Sequence, residues 1–198
     1  IIPWKVVGHY KGADLVGMEY EQLLPWIKPM GDGAFRVIPG DYVTTDDGTG
    51  IVHIAPNFGA DDANVARKAG VPAIVLIDKK GAQRPVVDLQ GKYYVLEDLD
   101  TDFVAKYVNV DGWSQYAGRY VKNAYDDTLT DKDETLDISI CMDLKQQNKA
   151  FKIEKHVHNY PHCWRTDKPI LYYPLDSWFI RSTAKKERMS ELNKTINW

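Results

Sequence analysis

The densest concentration of residues able to do chemistry runs Gly48-Thr49-Gly50-Ile51-Val52-His53-Ile54-Ala55-Pro56-Asn57-Phe58-Gly59-Ala60-Asp61-Asp62. A glycine-flanked strand delivers His53 at its end, and a Pro/Gly loop then turns into a helix led by acids. That order sets an imidazole and a carboxylate at the mouth of one loop, beside the unsatisfied N–H groups of a helix start. Such a mouth can hold a ligand's amine and hydroxyls without a metal. On residue types alone a plainer reading stands beside it. An Asp at a helix start is usually a cap, and a His on a strand is usually structural.

Three other groups invite chemistry. His156, His158, His162 and Cys163 are metal-ligating types close together in sequence. Lys79-Lys80 with Arg84, and Lys185-Lys186 with Arg188, are basic clusters, a pattern that most often marks a solvated face. Cys141 and Cys163 sit in unlike contexts and give no disulfide framework, which fits a reduced, cytoplasmic setting.

The elements that must position these residues read as β-led at the start. Phe35–Ile38 and Tyr42–Thr45 are expected strands, separated by Pro39-Gly40-Asp41. Asp46-Asp47-Gly48 makes a hairpin-like turn into a strand over Thr49–Ala55. Asp61–Gly70 carries acids first, bases last and a terminal Gly, the pattern of a short helix matched to its dipole. Ala73–Ile77 reads as a buried strand, turned by Asp78-Lys79-Lys80-Gly81 towards Pro85-Val86-Val87. Further helices are expected over Glu97–Tyr107, with Leu99, Phe103 and Tyr107 on one face, and over Ser182–Thr195. Thr135–Asn148 reads as another, although Ile138 and Ile140 weigh against it, and Lys149–Lys155 alternates like a strand. A seam near Pro161 divides residues 1–160 from a connecting stretch over 161–198.

Composition sets outer limits. The chain has 198 residues, 44% hydrophobic and 27% charged, enough for one good core and too apolar for disorder. Twelve Tyr, six Trp and five Phe suit either an aromatic core or a recognition surface. With 25 basic and 28 acidic residues the net charge is -3, so any contact with RNA must be local or delegated elsewhere. No segment approaches the roughly 18 apolar residues that a membrane span needs. The opening Ile1-Ile2-Pro3-Trp4 is too short and uncharged for a signal peptide, and the lack of a starting Met suggests a piece of a longer protein.

The Gly48–Asp62 run resembles the editing-domain signature of isoleucyl-tRNA synthetases, which valyl- and leucyl-tRNA synthetases share in looser form. Lys11–Tyr20 is similar to the family's lead into that domain. Tyr160–Pro169, continuing to Ser177-Trp178-Phe179, resembles its exit towards the catalytic Rossmann domain, and Ile196-Asn197-Trp198 the stretch just beyond. Phe58-Gly59 and Cys163-Trp164-Arg165 favour the isoleucyl over the valyl branch. The resemblance implies an α+β fold, a six-stranded barrel-like editing domain with peripheral helices. It implies hydrolysis of valine from tRNA charged for isoleucine, in a monomeric enzyme, with the rest of the synthetase acting in cis.

Carried over residue by residue, Asp62 matches the carboxylate that holds the misattached amino acid's α-ammonium, and His53 the residue whose bulk excludes isoleucine. Thr49, Gly50, Ala55, Pro56, Phe58, Gly59 and Asp61 are the expected substrate-binding residues. The nucleophile implied is water, so no Ser or Cys is nominated. The family's threonine-rich strand should precede residue 1, and Thr44-Thr45 lie in a different strand. Some relatives bind zinc through Cys-x-x-Cys at the Cys163 position; Thr166 replaces the second cysteine here, so no metal is expected. No cofactor is expected either, because ATP and magnesium serve the catalytic domain, whose signature motifs have no counterpart in this sequence. The rival expectation is a module that binds the aminoacylated tRNA 3' end and hydrolyses nothing.

Overall fold

Aromatic and branched apolar side chains between Ile27 and Leu136 build the core of the computed structural model, which describes residues 3–46, 48–130, 132–155 and 157–197. Trp113, Leu76 and Leu99 are the largest fully buried side chains, and Ile27 and Phe103 pack with them. The Trp113 indole N–H donates to the Tyr94 carbonyl at 2.8 Å, so the side chain is buried without an orphaned donor. Trp26 stacks on Tyr116 at 4.5 Å and meets Trp113 edge-on at 6.3 Å, while Tyr93 lies 5.0 Å from Trp113. A Trp buried this completely removes roughly 150–250 Å² from water, about 4–6 kcal/mol of favourable transfer. Much of the aromatic content therefore serves a core.

The helices follow their local signals in part. A short α1 (Gly12–Leu15) stands where the sequence reads as a turn, with the Asp14 carboxylate accepting the Lys11 N–H at 2.8 Å. α2 (Ala60–Ala69) ends at Gly70, whose φ of 66° is the left-handed cap that glycine adopts without penalty. The helix expected from Glu97 instead begins at Thr101. Leu96–Asp98 forms a tighter 3-10 turn, and the Asp100 side chain accepts the Phe103 N–H at 2.8 Å to start α3 (Thr101–Tyr107). α4 (Val110–Ser114) has no counterpart among the expected helices; Asn109 caps it through the Gly112 N–H at 3.1 Å. α5 (Leu136–Gln146) is the expected third helix, capped by Thr135 and joined to the core by the Tyr116 hydroxyl donating to Asp143. α6 (Lys186–Asn193) follows a 3-10 turn over Ser182–Lys185, and its apolar residues Met189 and Leu192 stay exposed.

The strand pattern is much sparser than the sequence suggests. β1 (Leu76–Ile77) pairs antiparallel with β2 (Gln83–Arg84), Leu76 opposite Arg84, in a two-stranded open sheet. Ala73–Val75 leads into β1 without ladder bonds, and Val87 pairs by an isolated bridge with Tyr93. The expected Phe35–Ile38 strand does meet a partner. Tyr20 N–H bonds Phe35 O at 3.0 Å, Gly17 N–H bonds Val37 O, and Val37 N–H bonds Met18 O, both at 2.9 Å. Tyr42–Thr45, Thr49–Ala55 and Lys149–Lys155 run without ladder pairing among the described residues. Ile51, Val52 and Phe151 stay exposed there, so no neighbour covers the face that a barrel would bury. The fold is thus mixed helix and strand, with no closed barrel among the described residues. The Asp46-Asp47-Gly48 turn includes Asp47, outside the described residues. Among those residues no helix is long and apolar enough to cross a membrane.

Candidate functional site

The polypeptide from His53 to Phe58 forms one wall of a cleft of about 450 Å³. Facing it are Tyr20 and Phe35, the Gln22–Ile27 turn, and Val71, Pro72 and Ile74 beyond α2, with Tyr93 and Trp113 of the core behind. The lining is chiefly aliphatic and aromatic, with Gln22, His53 and Asn57 among the few polar side chains. The Gln22 amide donates to the Leu24 and Ile27 carbonyls at 3.1 and 2.9 Å, which fixes its turn.

The His53–Phe58 wall is braced from both ends. Asp62 accepts the Ala55 N–H on Oδ2 at 2.9 Å, reaching back over Gly59 from the first turn of α2. A Cβ at Gly59 would stand 3.0 Å from the Asp62 Cγ and 3.1 Å from Oδ2, so the carboxylate occupies the space a side chain would take. Phe58 N–H bonds Ala55 O at 2.9 Å, and the Asn57 amide donates to Ile74 O at 2.6 Å. Asp62 is therefore not the helix cap that its place suggests. Gly59 is the N-cap of α2 and no side chain caps it, while the carboxylate instead holds the backbone of the cleft wall. Desolvation, then the fields of Asp62 and Asp61, raise the Tyr42 hydroxyl above the ordinary phenol range.

The expected site residues fall into two sets. His53, Ala55, Pro56 and Phe58 line the cleft, with the His53 side chain exposed at its rim. Thr49, Gly50, Gly59, Asp61 and Asp62 do not line it. Thr49 turns its hydroxyl onto Ile51, accepting the N–H at 3.3 Å and donating to the carbonyl at 3.2 Å. Gly50 takes a φ of 73° over Thr45, a left-handed turn open to glycine. Asp61 is exposed on α2. Asp62 stands one hydrogen bond behind the wall, through Ala55. Asn57 lies inside the motif without being an expected site residue, and the opposite wall carries no local signal, because only tertiary packing brings it here.

Among the described residues no three His, Cys, Asp or Glu side chains gather to hold an ion, and His156 lies outside those residues. His162 Nδ1 bonds Tyr160 O at 2.8 Å. Cys163 closes a tight turn, its N–H to Lys168 O and its carbonyl from Asp167 N–H, both 2.8 Å. The Thr166 hydroxyl, then the N–H groups of Arg165 and Thr166, lower the Cys163 thiol below the ordinary range. The basic clusters are solvated: Arg84 pairs with Asp78 at 2.8 Å and Arg188 with Glu191 at 3.4 Å.

No family model matches the chain. Curated relatives match it throughout. Isoleucine–tRNA ligase of Bacteroides fragilis is 72% identical over 198 residues, all of this chain and 17% of that protein. The Porphyromonas gingivalis isoleucine–tRNA ligase is 62% identical over the same span, again 17% of its length. At greater distance, the Clostridium tetani isoleucine–tRNA ligase is 38% identical over 196 residues, 98% of this chain and 15% of that protein. The chain thus spans about a sixth of the length of the relatives it matches.

Proposed function

The chain belongs to the isoleucine–tRNA ligase family, and we propose that within such a ligase this stretch is the editing domain, which hydrolyses valine from tRNA charged for isoleucine. The observation that carries this reading is the braced wall, an apolar cleft with an imidazole at its rim and a carboxylate directly behind its backbone. The valine side chain enters the cleft, and the α-ammonium is assigned at the cleft's edge to the Asp62 carboxylate, which braces the wall through Ala55 N–H without lining the cleft. His53 narrows the entrance against the longer isoleucine side chain.

A second pocket is needed on energetic grounds. One methylene distinguishes the two amino acids by only about 1–3 kcal/mol in a synthetic site. Hydrolysis uses water positioned by polar groups at the site and by the substrate's terminal ribose. The substrate is the 3' end of the isoleucine tRNA carrying valine, and the partner is the remainder of the same ligase, acting in the cytoplasm as a monomer. In that setting further strands close the barrel around residues such as Ile51 and Val52, exposed here, and residues 161–198 lead back to the catalytic domain.

The reading is tested by supplying the ligase that carries this stretch with ATP, valine and its tRNA. Editing predicts repeated ATP consumption with little valyl-tRNA accumulating. Steady accumulation of valyl-tRNA at the rate of valine activation would instead mark a module that binds without hydrolysing.

A further inference from the structure

Resting on the editing reading, we infer that Tyr173 is a positioning residue for the site, a brace between Phe58 of the cleft wall and Tyr94, whose carbonyl holds Trp113. Its ring meets Phe58 edge-on, with centroids 6.5 Å apart and planes at 70°. The Tyr173 hydroxyl also lies near that of Tyr94. The Tyr94 carbonyl takes the Trp113 indole N–H at 2.8 Å, and its N–H reaches Val86 O at 3.4 Å. Phe58, Val86 and Trp113 all line the cleft, whereas Tyr173 does not.

The position of Tyr173 in the chain gives the brace its meaning. Ile170 is tied by its N–H to Pro161 O at 3.1 Å and by its carbonyl to the Tyr160 hydroxyl at 2.9 Å. Three residues later Tyr173 is half-buried against the site, and beyond it Leu175, Trp178 and Phe179 are exposed. Tyr173 is thus where the stretch after the Cys163 turn reaches the cleft. Phe58 belongs to the loop whose Ala55 N–H is held by Asp62, so the Tyr173 ring steadies the same loop at a second point. A group placed this way governs how well the ester is seated and takes no part in bond breaking.

The test uses the full ligase and steady-state hydrolysis of valyl-tRNA for isoleucine. Tyr173→Ala should raise KM about tenfold, the scale of one lost aromatic contact and one hydroxyl contact, with kcat within about twofold. Tyr173→Phe keeps the ring edge against Phe58 and should restore KM to within about threefold. Phe58→Ala should raise KM similarly, and the double variant should be no worse than the more affected single one, because both remove the same contact. Additive losses, or a Tyr173→Ala enzyme with unchanged KM while Asp62→Ala is impaired, would overturn the brace and leave the editing reading standing. A fall in kcat alone that Tyr173→Phe does not rescue would also overturn it. A wild-type ligase that hydrolyses no valine ester would end the editing reading itself, and the brace with it.

Discussion

Replacing Asp62 separates two roles that the geometry combines in one carboxylate. Oδ2 holds the Ala55 N–H at 2.9 Å, a structural duty, while the proposed duty of the charge is to hold the substrate ammonium. Asp62→Asn keeps an amide oxygen able to accept from Ala55 but removes the charge and turns an NH2 towards a cation. A hydrogen bond to a charged group is worth about 1.5–3 kcal/mol, so hydrolysis of the valine ester should fall about 10- to 100-fold. Asp62→Ala loses that and also strands the half-buried Ala55 N–H, costing about a further 1 kcal/mol in stability of the loop. Deacylation of preformed valyl-tRNA for isoleucine, beside urea unfolding and isoleucine activation, resolves the two. The expected pattern is impaired hydrolysis in both variants, normal isoleucine activation in both, and reduced stability only in Asp62→Ala. If Asp62→Asn hydrolysed valine normally while Asp62→Ala did not, the carboxylate would be a backbone brace and nothing more.

Other consequences follow from individual side chains. His53→Ala should admit the isoleucine ester, so that the ligase destroys its correct product; an unchanged isoleucine ester would place the sieve elsewhere. Trp113→Ala removes a side chain only 1% exposed and its bond to Tyr94 O, and should cost about 3–5 kcal/mol, read as a lowered urea midpoint. Asp78 is held below the ordinary carboxyl range, first by the Arg84 side chain, then by the Ala82 N–H. Because its folded value is depressed, its stabilisation is present above the unfolded value of 3.8 and is lost as pH falls through the lower folded value. The difference in urea midpoint between wild type and Asp78→Asn should therefore hold from pH 7 to 5 and shrink in stronger acid, and an equal difference at pH 3 would contradict this.

What could be read from the sequence was local. The loop from Ala55 to Gly59 and the start of α2 are contiguous, so their chemistry and their turn were visible as a string of residues. α5 was visible through Thr135 and its spacing despite the β-branched Ile138 and Ile140, since tertiary packing of Leu136 and the Asp143 contact override weak propensity. α4 was hidden because Gly112 and Val110 are poor helix formers, and its Asn109 cap is recognisable only once the helix exists. The wall opposite His53 was out of reach for a different reason. Tyr20, Pro72, Tyr93 and Trp113 are separated by dozens of residues and converge only through the core. The residue types of Tyr42–Thr45 and Thr49–Ala55 favour strands but do not say which strand lies beside them. Asp62 shows the limit most clearly: its position in the helix was readable, but its bond to Ala55 depended on Gly59 leaving room for it.

The central claim is met most directly by the initial rates at which the ligase carrying this stretch hydrolyses preformed valyl-tRNA and isoleucyl-tRNA, both on the isoleucine tRNA, at equal concentrations. An editing cleft of this kind predicts rapid loss of the valine ester and near-stability of the isoleucine ester, with the preference abolished by Asp62→Asn. Equal rates for the two esters, or hydrolysis no faster than in buffer alone, would contradict it.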